Sequence, residues 1–369
     1  MDFTNYLKFK NMKDSTICLN FICKDNIETI EHMIMSAEPI IDEVVACDTG
    51  SIDGTLELLI KLKKKFETEF NKDFYILKDE WKNFGHNRTL MSKHAYENAK
   101  SDYIMIVDTD AWVELTENFN KKFTHDYYSL NWHFASTLIN LPLVLKNNKA
   151  WKWNNYAHNV LDTSGSISGG TLEGILVKED GRNVKEEQKH LKRTYNLLKQ
   201  QIKDGNSTSR TNFYFARVST GIDPTEATKY FYKVVNGDNW LEEKYISYCD
   251  LANLEPAKKI EHLLNAYEIN PLRAEALYYL GHHYRSNQKY HLAEFFLRKS
   301  INMKHSDKML FINVNIYTYL RYFELSIALY WVGKFKEAFK FANKVKKLKL
   351  SGGIDEQNEK NLVFMKNKL

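Results

Sequence analysis

Ile40 to Thr55 reads IIDEVVACDTGSIDGT. An apolar, β-branched run, Ile40–Cys47, stops at a carboxylate and a turn of glycine, serine and aspartate. From Leu56 to Phe66 the chain then carries helical spacing with a lysine-rich outer side. This is a strand, a loop and a helix. The same order recurs on both sides. Thr16–Cys23 is a strand leading into Lys24-Asp25-Asn26 and a helical stretch over Ile27–Met35. Phe74–Leu77 is a short strand, Arg88–Ala99 is helical, and Tyr103–Val107 is a buried strand ending in Asp108-Thr109-Asp110. Strands alternating with helices of this length imply βαβ units and a mostly parallel sheet. Ligands of such sheets bind at the carboxyl ends of the strands, where all three polar clusters fall.

From Tyr127 to Val177 the chain is rich in Trp, Tyr, Asn and Ser and contains Gly169-Gly170. Short, irregular strands and loops are expected there, finishing a first domain over residues 1–183. Residues 184–369 read as helix almost throughout. Ala227, Ile260 and Ala293 recur at a spacing of 33 residues, and Ala338 follows 45 residues later. Pro224 and Pro256 stand at helix starts, where a missing N–H does no harm, and Gly333 separates the last two helices. A helix-pair repeat of about 34 residues is the tetratricopeptide signature.

The chain has 369 residues, which suggests two domains at roughly 150 residues each. Charged residues make up 27% and apolar ones 43%, an ordinary globular balance that excludes wholesale disorder. A net charge of +5 permits an anionic ligand without demanding nucleic acid. Lys61–Lys65 and Lys344–Lys349 read as solvated faces, since no aromatic platform accompanies them. Cys18, Cys23, Cys47 and Cys249 show no metal-site spacing among themselves and mostly lie in apolar runs. Free thiols in a reducing, cytoplasmic compartment are expected. Met1–Lys13 has no apolar signal core, and no run of about 18 apolar residues predicts a membrane span.

Three blocks carry chemistry. Asp108 and Asp110 point the same way from an extended segment, so both could approach one hard cation, Mg²⁺ or Mn²⁺. A solvated turn is the plain alternative. In Asp48–Thr55, turn chemistry accounts for Ser51, Asp53 and Thr55. Asp48 ends the strand where it could accept from a base or a ribose. Arg88 opens a helix, a place the dipole disfavours for a cation, so it either reaches a diphosphate or pairs with a neighbouring acid. Trp151 and Trp153 could stack on sugar faces or fill the core; Trp132 reads as core.

In these blocks the sequence resembles glycosyltransferase family 2, inverting enzymes of the GT-A fold. The matching residues are Lys24-Asp25-Asn26, Asp48 to Thr55, Asn83-Phe84 with Arg88, and Asp108-Thr109-Asp110. The helical half resembles the branch of bacteria and large DNA viruses with a tetratricopeptide-like C-terminus. There the recurring phrases are Phe213-Tyr214-Phe215-Ala216, Asn239-Trp240-Leu241-Glu242-Glu243, Pro271-Leu272-Arg273-Ala274-Glu275 and Leu310-Phe311-Ile312. The resemblance implies an α/β GT-A domain followed by an all-α helical-repeat domain. It also implies a metal-dependent hexosyltransferase-type enzyme moving a sugar from a nucleotide-sugar, a UDP-sugar first, to a glycan, protein or small-molecule hydroxyl. Lys24, Asp48, Arg88, Asp108 and Asp110 would bind the donor, and Asp108, Asp110 and His158 the metal. Asp25-Asn26 replaces the family's Asn-Glu, and Asn159 stands where the family has Glu after the histidine. The base role would then fall to Asp162 or Glu173. The alternative is an inactive transferase domain serving as a protein-binding scaffold, with the helical repeats holding a partner or a second copy of the chain.

Overall fold

The structure, a computed structural model, describes residues 13–181, 184–306, 308–350 and 353–369. Residues 1–12, and residues 182 and 183 at the expected domain boundary, lie outside the described residues. The chain divides into two compact units. One holds the described residues up to Ala135 with Ile139–Thr211; the other holds Ser136–Leu138 with Asn212–Leu369.

The first unit is built on β1 (Ile17–Cys23), α1 (Ile30–Ala37), β2 (Glu43–Asp48), α2 (Thr55–Lys65), β3 (Asp73–Lys78), α3 (Phe84–Asn98) and β4 (Tyr103–Ile106). It continues through β5 (Ala111–Leu115), β6 (Tyr127–Phe134), β7 (Thr137–Lys146), β8 (Trp153–Asn154), β9 (Val160–Leu161), β10 (Ser168–Glu179) and α4 (Val184–Lys203). Eight strands run in the order β3-β2-β1-β4-β7-β6-β10-β5. β1, β2 and β4 are buried along nearly their whole length. That explains why they read as continuous apolar runs: both faces are covered, as parallel strands require. β1 pairs parallel with β2 and β4, and β2 with β3. Beyond β4 the pairing turns mixed: β7 is antiparallel to β4, and β10 is antiparallel to β5 but parallel to β6. The region expected to be irregular contains strands of 8, 10 and 12 residues. Their half-buried faces and the register shifts within β10 hid the alternation.

The helix expected from Arg88 begins a turn earlier. Asn83 caps it, its Oδ1 accepting from the His86 N–H at 2.9 Å. Arg88 therefore lies in the second turn of α3, not at its exposed N-terminus. Gly54, at φ 97°, turns the chain into α2 in a conformation that a side chain resists.

The second unit contains α5 (Ser209–Ser219) from Asn212 on, α6 (Pro224–Asn236), α7 (Leu241–Leu254), α8 (Lys259–Ile269), α9 (Glu275–Ser286) and α10 (Tyr290–Ser300). Then come β11 (Ile312–Asn313), α11 (Arg321–Trp331), α12 (Phe335–Lys346) and α13 (Gly353–Lys366). Within this unit Ile312 and Asn313 pair with Leu138 and Thr137. From α6 onward each helix packs on the next, and α9 also packs on α11. This neighbour-on-neighbour stacking is that of a repeat array.

The repeat shows in the burial register. Ala227, Phe231 and Val234 of α6 are fully buried, as are Ala293, Leu297 and Ser300 of α10 and Ala338, Ala342 and Val345 of α12. All three sets follow the i, i+4, i+7 rule of one helix face. In α8, which follows the 3₁₀ turn Pro256–Lys258, the buried residues are His262, Leu263 and Ala266, while Ile260 is only half-buried, so the expected register does not hold at Ile260. Asp223 caps α6, accepting from the Glu226 N–H at 3.0 Å, with Pro224 at the first helical position. Among the described residues no helix is long and apolar enough to cross a membrane.

Candidate functional site

At the carboxyl edge of the sheet, the loops after β1 and β2 are laced to each other. The Asp48 carboxylate accepts from the Gly50 N–H at 3.2 Å and the Ser51 N–H at 3.3 Å, and from the Ser51 hydroxyl. Asp25 Oδ1 accepts from the Ile52 N–H at 2.8 Å, and Ser51 Oγ accepts from the Asp25 N–H at 3.0 Å. Asp53 accepts from Thr55 through both N–H and hydroxyl, and from the Ile27 N–H at 3.1 Å. Asp48 is thus buried and engaged by its own turn. Lys24 is exposed.

Arg88 and Asp108 do come together as an ion pair. Arg88 also donates to Asn159 Oδ1 at 3.2 Å and lies 5.2 Å from the Trp153 ring centre. Its presence in α3 is answered by an acid and an aromatic face. Asp108 keeps 42% of its side chain exposed, and Asp110 is half-buried. His158 is exposed at φ 45°, and its carbonyl accepts from Arg210 Nε at 3.3 Å. The structure does not assemble Asp108, Asp110 and His158 into a three-ligand cluster. The one such grouping among the described residues is Cys47, Asp79 and His94. Asp162 is exposed. Hydrogen bonds from Ser164 hold its carboxyl below the usual carboxylate range, which weakens it as a base. Glu173 is exposed on β10. Trp132, Trp151 and Trp153 all belong to the hydrophobic core of this unit.

The second unit contains a groove of about 380 Å³ formed by α7, α8 and α9. Leu263 and Tyr278 give it apolar walls, Asn253 adds a polar group, and Lys259, His282 and His283 line it. Burial, with Lys259 next, pushes the His283 imidazole below the ordinary histidine range.

Beside the groove, a buried charge network joins three of the phrases read in the sequence. Arg273 is fully buried and donates to Glu242 at 2.6 Å, to Glu275 at 2.7 Å and to the Leu310 carbonyl at 2.8 Å. Its guanidinium lies 4.5 Å from the Tyr245 ring centre. Glu242 also accepts from the Leu310 N–H at 2.8 Å, and Glu275 from the Tyr317 hydroxyl at 2.8 Å. This network was not legible from local pattern: Arg273 reaches 31 residues back and 37 ahead.

No family model matches the chain, and no curated protein matches it. Solved structures do. MamA is 19% identical with a TM-score of 0.36, over 49% of this chain and 99% of that one. A tetratricopeptide repeat protein from Parabacteroides merdae is 19% identical, TM-score 0.37, over 50% and 70%. YrrB, described as a TPR protein with an unusual peptide-binding site, is 15% identical, TM-score 0.35, over 47% and 86%. These findings correct the expectation of glycosyltransferase family 2. The solved structures the chain is similar to are tetratricopeptide-repeat proteins over about half of the chain, and neither they nor any family model supports a transferase or the GT-A expectation. With the family go the enzyme assignment and its UDP-sugar donor; the tetratricopeptide-like repeat stands. The physical reason is visible in the loops. A strand followed by Asp-Thr-Gly-Ser-x-Asp-Gly-Thr is also the sequence of a loop that caps itself, and here the carboxylates of Asp25, Asp48 and Asp53 hold backbone N–H groups.

Proposed function

We propose that the chain is a protein-binding scaffold whose helical repeats take an acidic, extended peptide segment. The groove between α7, α8 and α9 carries this reading. Three basic or protonatable side chains, Lys259, His282 and His283, line it over apolar walls, and among the described residues no carboxylate lines it. A peptide of alternating acidic and apolar residues matches that chemistry. Charge complementarity of this kind supplies specificity and association rate. The peptide's carboxylates would favour protonated His283, so binding is expected to tighten as pH falls through and below the ordinary histidine range.

Fluorescence anisotropy with labelled Asp/Glu-rich and Lys-rich peptides tests it. The acidic peptide is expected to bind, to weaken as salt rises, and to lose about tenfold in affinity, roughly 1.4 kcal/mol, with Lys259→Glu. Equal binding of both peptides, or indifference to Lys259→Glu, would sink the reading.

A second proposal concerns Asp108 and Asp110, whose carboxylates leave the end of β4 one residue apart and partly exposed. They are a candidate two-carboxylate site for Mg²⁺ or Mn²⁺, with Arg88 as the competing cation on Asp108. Arg88→Met is therefore expected to tighten Mn²⁺ binding and Asp110→Ala to abolish it, both read by calorimetry. If Arg88→Met leaves the affinity unchanged, Asp108 is no ligand.

A further inference from the structure

Cys47 is the penultimate residue of β2, Asp79 follows β3 directly, and His94 lies on α3, which packs on β1 and β2. Parallel pairing puts Asp48 beside Lys78, and the Asp79 N–H donates to the Asp48 carbonyl at 2.9 Å. Three separate elements thus deliver one sulfur, one carboxylate and one imidazole to a single point. Their ligating atoms all lie within 4.8 Å of one another. His94 Nε2 is 3.0 Å from Asp79 Oδ1.

The second carboxylate oxygen carries the argument further. The Asp79 side chain is only 6% exposed, and its Oδ2 is buried with no hydrogen-bond partner. A buried carboxylate oxygen without a donor costs free energy, and such groups call for a specific explanation. A histidine–aspartate hydrogen bond alone leaves that oxygen unanswered; a cation answers it. Zn²⁺ prefers tetrahedral sulfur, nitrogen and oxygen donors at about 2.0–2.3 Å, which sets ligand–ligand separations of roughly 3.3–3.8 Å.

From this geometry we propose that Cys47, Asp79 and His94 form a three-ligand Zn²⁺ site. Thiolate and imidazole select a borderline or soft ion, so Mg²⁺ and Mn²⁺ are poor occupants. A bound ion would tie α3 to β2 and to the edge strand β3, linking residues 15 and 32 positions apart in sequence. A thiol must lose its proton to become a metal ligand, so binding is expected to release a proton and to strengthen with rising pH.

The full-length protein, stripped with a chelator, is titrated with Co²⁺ and then competed with Zn²⁺. The expected result is a thiolate-to-Co²⁺ charge-transfer band with intense tetrahedral d–d absorption, both removed by Zn²⁺, and a rise in unfolding temperature with Zn²⁺. Cys47→Ser and His94→Gln are each expected to abolish the band or weaken Zn²⁺ at least tenfold, whereas Cys23→Ser, on the adjacent strand, leaves both unchanged. Absence of the band and of Zn²⁺ stabilisation in wild-type protein with native circular dichroism overturns the proposal, whatever the variants do. So does a band that survives Cys47→Ser.

Discussion

Arg273→Met is expected to destabilise the helical unit by about 3–5 kcal/mol, the cost of removing one partner from a buried ion network. The side chain is fully buried, and the two carboxylates it holds, Glu242 and Glu275, are 7% and 4% exposed. Without the guanidinium they face each other's charge with little water, and the Leu310 carbonyl loses a donor. Arg273→Lys keeps the charge but not the planar fork that reaches Glu242, Glu275 and Leu310 together, so an intermediate loss is expected. The cause is separable from lost volume. Combining Arg273→Met with Glu242→Gln and Glu275→Gln removes the stranded charges and is expected to recover part of the stability. Urea unfolding followed by circular dichroism measures all three. A loss below about 1 kcal/mol for Arg273→Met would mean that water reaches the carboxylates.

That network marks where the sequence stops being informative. The strands of the first unit were legible because a parallel strand covered on both faces leaves an unbroken apolar run, as in Val44–Cys47 and Ile104–Val107. The helical repeat was legible because Ala227, Ala293 and Ala338 are small where neighbouring helices close on one another. Its register was misplaced at Ile260, which is half-buried while Leu263 and Ala266 of the same helix are buried. Asp48 illustrates a deeper limit. A carboxylate at a strand end is the same letter whether it faces a ligand or its own loop, and only the hydrogen bonds to Gly50 and Ser51 distinguish the cases. Arg273, like the Cys47–Asp79–His94 cluster, gains its meaning from partners that no local spacing brings together.

The largest effect expected in the first unit comes from Trp151→Ala, at about 3–5 kcal/mol. The ring is 1% exposed, and its indole N–H donates to the Lys146 carbonyl at 2.9 Å. The Trp151 backbone N–H donates to Ser92 Oγ at 2.8 Å, and Lys149 Nζ stands 4.1 Å from the ring centre. Truncation would leave a cavity beside α3 and strip the Lys146 carbonyl of its donor, the second costing about 1–3 kcal/mol if water does not replace it. Trp151→Phe keeps most of the volume and is expected to cost distinctly less. Trp240, half exposed ahead of α7, is the control: its truncation should change stability by no more than about 0.5 kcal/mol. The comparison decides between the two roles that the sequence allowed Trp151. A tryptophan that stacks on a bound sugar leaves the ligand-free protein nearly as stable when it is removed. A tryptophan that fills the core takes the fold down with it, and that is the outcome its burial requires.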